Sequence, residues 1–571
     1  MQSKEQAWDE QTDLLVIGSG AGGSTAALVA ALEGLAVILC EKTALIGGTS
    51  ATSGGAIWIA GSSQAARAGY QDTRERGQEY LRNELGSHAR HELLDAYIDT
   101  GPSMVDYLEQ KSELVFDAIA MPDYHPDTPG GMAAGRVLMA KPFDGRTLGQ
   151  DFKFLAPPLK RLMALGGMMV PSSDIPMMLQ PFKSYQAFSV VTRSIFRYAM
   201  DRLRYPRGTR LVNGNALIGR LFSSLRKAKA DIRLNTSLVE LISKDGRVEG
   251  AVVETAMGRR RIRARRGVVL ATGGAAQSSA LQKDLMKNFP HNHTVAHHGS
   301  TGDGLQAALK AGAVIDRTVS TPAVWTPASV MKEKDGTTTV FPYGYLDRGK
   351  PGAIAVNATG RRFVNEANSY HDVVQAMYAY TPPGEVPRAH LICDSYFLKR
   401  YGLGIVRPRA NDLRSYLEAG YLVEAQSLQE LAGKIGVDGT QLTESIGRHN
   451  DFAKTGVDSE FAKGTTAFNW FNGDPTVKPN PNLKAIEVAP FYALPITPAT
   501  LSVSIGLKTN ENAQVLNGED QLIEGLYACG NDMASVMRGL CPGGGVILGP
   551  AMVFGYRAAL HAAGQSAREI D

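Results

Sequence analysis

The stretch Gly18-Ser19-Gly20-Ala21-Gly22-Gly23 constrains this chain more than any other. Asp13-Leu14-Leu15-Val16-Ile17 runs into it as an apolar strand, and residues 26–32 leave it as an Ala-rich helix. A second strand, at 36–39, leads to Glu41. Strand, Gly-rich turn, helix, strand and acid, in that order, make a dinucleotide-binding unit. The first glycine makes the tight turn, the second lets the backbone approach a pyrophosphate, and the third packs helix on sheet. The helix N-terminus stabilises the phosphate charge, and Glu41 is placed to hydrogen-bond a ribose hydroxyl.

A second loop of small residues, Gly47-Gly48-Thr49-Ser50-Ala51-Thr52-Ser53-Gly54-Gly55, follows almost at once. Its glycines and hydroxyls suit a backbone lying against a flavin and its diphosphate, and a nicotinamide dehydrogenase has no need of it. Two further pieces lie far downstream. One is a short strand from Gly267 that ends in Ala271-Thr272-Gly273-Gly274. The other, Gly525-Leu526-Tyr527-Ala528-Cys529-Gly530-Asn531-Asp532, reads as a strand entering a polar turn. Together the four segments resemble the FAD-binding domain of the fumarate reductase/succinate dehydrogenase flavoprotein superfamily. That resemblance implies a FAD site drawn from Gly18, Gly20, Ala21, Gly22, Gly23, Glu41, Lys42, Gly48, Thr49, Ser50, Ser53, Gly54, Gly55, Ala271, Thr272, Gly273, Asp303, Gly530, Asn531, Gly545 and Val546. Succinate dehydrogenases attach FAD through a histidine where this chain has Gly48, so non-covalent FAD is implied here.

Composition narrows the class further. The 571 residues suggest two or three domains, and 44% hydrophobic with 20% charged residues describe an ordinary globular protein. A net charge of +4 gives no nucleic-acid signature. Cys40, Cys393, Cys529 and Cys541 are scattered, without zinc or disulfide spacing, which fits a reducing, cytoplasmic compartment. His291, His293, His297 and His298 carry no metal spacing, and no metal is expected. Residues 1–12 are polar and mixed in charge, which argues against an ordinary secretory signal. No apolar run reaches the ~20 residues of a spanning helix.

One segment stands apart. Residues 151–207 hold nine Lys/Arg against three acids, with six methionines and five phenylalanines. Cations mixed with apolar residues suit a membrane interface, and so a peripheral position at the inner face of the cell membrane. A Met-rich lid or a subunit contact around an apolar substrate is the alternative.

The expected architecture is α/β: a discontinuous Rossmann-like FAD-binding domain with an inserted α+β catalytic, capping domain. Residues 1–318 form its first part, carrying the 151–207 insertion; residues 319–490 form the cap; residues 491–571 complete the FAD domain. Strands at 237–265 meander through a turn at Asp245-Gly246. Gly302-Asp303-Gly304 opens a helix through Ala313, with Ser300, Thr301 and Asp303 as candidate caps. A helical stretch is expected at 427–453.

Three places separate the branches of the superfamily. Fumarate reductases follow a run like Arg362-Phe363-Val364-Asn365-Glu366 with a catalytic arginine; Tyr370 stands there in this chain. They place a carboxylate-binding arginine before a Gly-Gly pair; Cys541 stands there, and Arg538 comes three residues early. They carry a substrate-binding histidine in the stretch matching 500–507, where this chain has none. Without those cations a small dicarboxylate is poorly served.

A tyrosine at 370, the tail Pro542-Gly543-Gly544-Gly545, and Pro122-Asp123-Tyr124 resemble instead the 3-ketosteroid Δ1-dehydrogenases. The resemblance implies desaturation of a 3-ketosteroid or similar apolar cyclic ketone at its 1,2 bond. Tyr370 would remove the α proton with Tyr124 as partner. The Gly545 N–H, opening a helix at 546–560, would polarise the carbonyl. The β hydride would pass to FAD N5, and a quinone-like acceptor would reoxidise it. Asn365 and Glu366 are expected to hold the loop. These dehydrogenases carry a carbonyl-binding tyrosine where Cys541 stands here. Tyr343 or Tyr345 is a substitute hydroxyl, or the change marks a Δ4-dehydrogenase. An enone reductase and an electron-transfer flavoprotein are the remaining alternatives.

Overall fold

The strand Glu10–Ile17 lies inside the larger sheet because its run Leu14-Leu15-Val16-Ile17 is apolar on both faces and fully enclosed. The computed structural model describes residues 7–159, 163–171, 174–343 and 347–565. Glu10–Ile17 pairs in parallel with Val37–Cys40 on one side and with Gly258–Leu270 on the other. Beyond these come Asp231–Arg233 at one edge and Leu522–Ala528 on the other side, again parallel. Register aligns Ile17 with both Cys40 and Leu270, and Leu270 with Ala528. Four parallel strands therefore end together, and the loops after them open on one edge of the sheet, where ligands of such sheets bind. The meander Ser237–Lys244, Arg247–Thr255 and Gly258–Leu270 is antiparallel and turns at Asp245-Gly246.

Helix Ala21–Leu32 packs on the last helix, Leu548–Ala563. Glycine sets this contact: a Cβ on Gly555 would lie 2.4 Å from the Gly22 carbonyl oxygen. The N-terminal and C-terminal stretches are thus one domain, interrupted by what lies between.

The interruption is a second sheet, ordered Thr338–Pro342, Ala323–Lys332, Phe491–Val503, Ala389–Asp394 and Ala353–Asn357. Its long strand Phe491–Val503 pairs with Ala323–Lys332 and Ala389–Asp394. Residues 491–503 therefore belong to the inserted sheet, and the first domain resumes near Gly506–Leu507, which pairs with Ile315–Asp316. The helical stretch expected at 427–453 consists of two helices, Leu428–Ile435 and Gly439–Thr455, separated at the left-handed Gly436 and restarted by the Asp438 cap. The helix expected from 302 to 313 spans Asp303–Lys310. Gly302 is its N-cap residue; Thr301 and Asp303 bind Lys42 rather than capping, and the Gly304 N–H donates to Thr272 Oγ1 at 3.3 Å. The last helix starts at Leu548 rather than 546, because Gly545 sits at φ +97°.

The inserted domain has an ionic centre with no access to water. Arg362 donates to both oxygens of Glu366 at 2.8 and 2.9 Å, and Lys463 lies 3.0 Å from the same carboxylate. Asp458 takes a further bond from Arg362 at 2.7 Å. Burial alone would raise the Glu366 pKa, but Arg362 and Lys463 hold it well below the ordinary range. Removing one partner of such a cluster leaves buried charge uncompensated. Glu366→Ala is therefore expected to lower unfolding stability by about 3–5 kcal/mol, measured by urea denaturation against wild type.

Candidate active site

The four strand ends deliver the motif loops to one place. Gly18, at φ +107°, comes so close to the chain at 271 that a Cβ would lie 2.2 Å from the Ala271 oxygen. Helix Ala21–Leu32 begins with Gly20 as N-cap residue and no cap from it; the Ala21 N–H donates to Ser50 Oγ at 3.1 Å. Gly48 and Gly54 have open space where a Cβ would stand. A helix start without its own cap, flanked by bare glycine backbone and the Thr49, Ser50 and Ser53 hydroxyls, fits a diphosphate. Gly55, at φ +73°, turns the loop back against Asn213.

Glu41 is anchored by protein. One oxygen accepts from Ser19 N and Oγ at 3.1 and 2.6 Å, the other from Thr43 N and Oγ1 at 2.9 Å each. Four acceptor positions are filled, so a ribose hydroxyl reaches this carboxylate by replacing one of the hydroxyl donors. Lys42 is paired with Asp303 at 2.6 Å.

Asp532 joins the two downstream turns. Its carboxylate accepts from the Thr272 N–H, from Thr272 Oγ1 at 2.9 Å and from the Gly274 N–H at 3.1 Å. Burial outweighs these donors and raises its pKa to about 6. Gly273 and Gly530 both hold positive φ, and Asn531 Oδ1 accepts from Ser502 Oγ at 2.9 Å.

Tyr124 and Tyr370 meet across the two domains, with ring centroids 5.6 Å apart and planes at 79°. Tyr370 is the first residue of helix Tyr370–Ala379, and its hydroxyl oxygen accepts from Cys541 Sγ at 3.4 Å. Tyr124 lies in the loop between strands Phe116–Ala118 and Val137–Ala140, and its N–H donates to the Pro542 carbonyl at 2.9 Å. The Tyr80 hydroxyl donates to the same carbonyl at 2.6 Å. A Cβ on Gly544 would lie 3.1 Å from Met121 and 3.6 Å from the Tyr124 hydroxyl oxygen, so the glycine turn lies beside Tyr124. Gly545 admits no side chain, since its Cβ would lie 2.6 Å from the Ile57 backbone. Its carbonyl accepts from Trp58 and Gly549, and among the described residues no acceptor takes its N–H. The Val546 side chain is buried in the core.

Buried charge holds this loop. Trp58 Nε1 donates to Asp123 at 2.7 Å, and Arg136 joins Asp123 and Asp72 at 2.8 Å each. Burial, ahead of the opposing Arg136 charge, lifts the Asp123 pKa to about 6. Arg348, fully enclosed, donates to the Glu366 and Asn368 carbonyls just before Tyr370. Asn365 braces the same run through Asn469 at 2.9 Å.

Residues 13–548 match the FAD binding domain family. A 3-oxosteroid 1-dehydrogenase of Mycolicibacterium smegmatis is 36% identical over 98% of this chain and 98% of its own length. The structure of 3-ketosteroid delta1-dehydrogenase from Sterolibacterium denitrificans, in complex with 1,4-androstadiene-3,17-dione, superposes with a TM-score of 0.89. It is 33% identical and covers 97% of this chain and 100% of that one. This chain belongs to the 3-ketosteroid dehydrogenase family of FAD-dependent flavoproteins. A 4-oxocyclohex-2-ene-1-carboxylate 5-dehydrogenase of Sinomonas cyclohexanicum is also 36% identical, over 96% of this chain and 92% of that relative. The protein is accordingly an FAD-dependent oxidoreductase with a mixed α/β fold.

Within this family frame, some residues singled out in the sequence lie elsewhere. Tyr343 is buried with its hydroxyl toward Gly404 and Tyr421, away from the tyrosine pair, and Tyr345 lies outside the described residues. Arg538 is locked on Asp316 at 2.9 and 3.0 Å and is not offered to a carboxylate. His371, next to Tyr370 in sequence though not among those residues, turns into the core, where its Nδ1 accepts from the Trp325 N–H at 3.1 Å, and burial lowers its pKa to about 4. Two residues of this site escaped sequence reasoning. His125, directly after Tyr124, binds carboxylates far away in sequence, and Asp532 sits in a Gly-Asn-Asp turn whose acid carried no motif. No helix among the described residues is long and apolar enough to cross a membrane, and none of their His, Cys, Asp and Glu side chains form a metal-binding group.

Cys541 is a neutral thiol, since burial pushes its pKa up to about 12. Iodoacetamide at mildly alkaline pH is expected to leave Cys541 unmodified in the folded protein and to label it after unfolding, as read by peptide mass spectrometry.

Proposed function

We propose that this protein introduces a 1,2 double bond into a 3-ketosteroid, with Tyr370 as base and Tyr124 as its proton partner. The observation that carries this reading is the Tyr124–Tyr370 ring contact, with Gly544 beside the Tyr124 hydroxyl and Cys541 bonded to the Tyr370 oxygen. A Gly545 N–H directed at the ketone oxygen withdraws charge and acidifies the adjacent C–H. The Tyr370 oxygen then takes the α proton. The Cys541 S–H donates to that oxygen and so favours its anionic form. The Tyr124 ring is held by Phe468, 4.7 Å away and tilted, and meets the Tyr370 ring edge-on. FAD, held non-covalently in the Gly18–Gly23, Gly48–Gly55, Ala271–Gly273 and Gly530–Asn531 loops, supplies the acceptor for the β hydride.

An apolar ketone suits the surroundings better than an acidic one. Trp58, Met121, Phe468 and Tyr80 crowd the tyrosines and the glycine turn. The neighbouring cations Arg136 and Arg348 are engaged by Asp72, Asp123 and backbone carbonyls. The one observation favouring a second reading is Cys541 itself: a thiol is a weak donor in place of a carbonyl-binding hydroxyl, which suits a Δ4-dehydrogenase acting on the other side of the ketone.

Residues 151–207 supply a membrane contact in this reading, with a quinone-like acceptor dissolved in the same bilayer. Helix Tyr185–Arg202 buries only Ala187 and Asp201. Phe182, Tyr185, Phe196 and Leu203 are 86, 88, 67 and 74% exposed beside Lys183, Arg193, Arg202 and Arg204. The segment is nevertheless anchored, for Phe152, Met163, Met168 and Met169 are buried and Arg207 stacks 4.7 Å over the Phe152 ring. Point changes therefore test it better than deletion.

Anaerobic mixing of the holoenzyme with 4-androstene-3,17-dione is expected to bleach the flavin and yield the 1,4-diene, identified by mass spectrometry and NMR. Bleaching only by saturated 5α or 5β ketones, with a 4-ene product, would move the assignment to the 4,5 bond. Tyr370→Phe should keep its FAD and slow flavin reduction by about 10²–10⁴-fold; a near-normal rate would remove Tyr370 from proton abstraction. In flotation with phosphatidylglycerol vesicles the wild type is expected to rise, and a Phe182→Asp, Phe196→Asp, Leu203→Asp variant to stay below. Equal behaviour of the two would dismiss the membrane contact.

A further inference from the structure

Tyr124 and Tyr370 are delivered by separate parts of the fold. The loop carrying Tyr124 hangs from the small sheet of Ala56–Trp58, Val137–Ala140 and Phe116–Ala118, which packs on the last helix of the FAD domain. Helix Tyr370–Ala379 lies on strand Ala323–Lys332 of the inserted sheet. Something must fix one against the other to within a fraction of an ångström if a proton is to move at Tyr370.

His125 spans the gap. Its Nδ1 lies 2.5 Å from Glu84 Oε2, and its Nε2 lies 3.0 Å from Asp372 Oδ2. Both ring nitrogens face carboxylate oxygens, which accept only, so both must carry hydrogen; an imidazole with two N–H groups is the cation. Glu84 is itself oriented by Thr128 Oγ1 at 2.6 Å, and the His125 N–H donates to the Tyr80 hydroxyl at 3.4 Å. Asp372 stands in the first turn of the Tyr370 helix, its N–H bonded to Ser369 Oγ at 3.2 Å, where the helix dipole favours a carboxylate. One end of the clamp is thus fixed one residue from Tyr124 and the other two residues from Tyr370. Burial opposes the charge, but Asp372 and Glu84 together keep the ring protonated, with a pKa raised to about 10.

We propose that His125 is a positioning residue for the reaction: as an imidazolium held by Glu84 and Asp372, it sets the Tyr124 hydroxyl against Tyr370. The proposal rests on the reading of Tyr370 as base. Charge on the triad sums to one negative, so it does not favour a phenolate by its field; its contribution is geometric. The His125 ring is partly open to solvent while Glu84 and Asp372 are more enclosed, so the melting temperature of each variant is read beside its rate. Kinetic and structural effects can therefore be told apart.

The experiment uses the FAD-loaded enzyme, His125→Gln, Asp372→Asn and the double variant. Anaerobic stopped-flow follows flavin reduction by 4-androstene-3,17-dione, unlabelled or deuterated at C2, the α carbon. Wild-type reduction is the control: no reduction by this or a saturated 3-ketosteroid defeats the function proposed above, and the positioning role with it. Given wild-type reduction, His125→Gln is expected to slow the limiting rate by about tenfold to a hundredfold. The apparent steroid Kd should change little and the α-deuterium isotope effect should rise. Asp372→Asn should do the same, and the double variant should be no slower than the worse single one, because the two act as one unit. Unchanged rate and isotope effect, or multiplying losses in the double variant, would overturn the positioning role while leaving the function standing. Loss of FAD or a large fall in Tm in both single variants would overturn it as well, by showing a purely structural part.

Discussion

The shared register of four parallel strands is the constraint on which the rest depends. Because Ile17, Cys40, Leu270 and Ala528 stop at one level, loops drawn from positions hundreds of residues apart in the chain open side by side. No single loop could form the cofactor cradle. The Gly18 turn approaches Ala271 at backbone distance, and Asp532 stitches the 271–274 turn to the 530–532 turn. Slipping one strand by a residue would turn its side chains to the opposite face and separate these partners. The register is specified in turn by apolar strands that are buried on both faces, since any slip would cost hydrophobic burial along the whole strand.

The second constraint is how the insertion is tied down. Its sheet shares apolar core with the first domain, and at its centre it commits Arg362, Glu366, Asp458 and Lys463 to a buried ionic cluster. Such a cluster is costly to desolvate and intolerant of a missing member, so it specifies a single arrangement more than it adds stability. That specificity falls where it is needed, because the run from Arg362 to Ser369 leads directly into Tyr370.

Much of this could be read in the chain itself. The glycine signature, the second small-residue loop and the two downstream turns are local patterns with a local physical cause, and the β meander turned where Asp245-Gly246 indicated. Errors came where a tertiary partner outbid a local rule. Thr301 and Asp303 have the chemistry of helix caps, but Lys42 claims them. Gly545 could not begin a helix, because backbone packed against Ile57 forces a left-handed turn. The 490/491 division ignored that a long strand can be shared property of two neighbours in its own sheet. His125 was invisible for another reason: its partners Glu84 and Asp372 lie 41 and 247 residues away, and nothing in a Pro-Asp-Tyr-His run announces either.

The division of the tyrosine pair between two sheets has a consequence for turnover. An enzyme whose base and proton partner sat on one rigid element would be armed at all times. Here the ring contact of Tyr124 with Tyr370 exists only while the inserted domain is seated on the FAD domain. Under the function proposed above, seating the inserted domain and assembling the base with its partner are then a single event, and either sheet alone carries only one phenol.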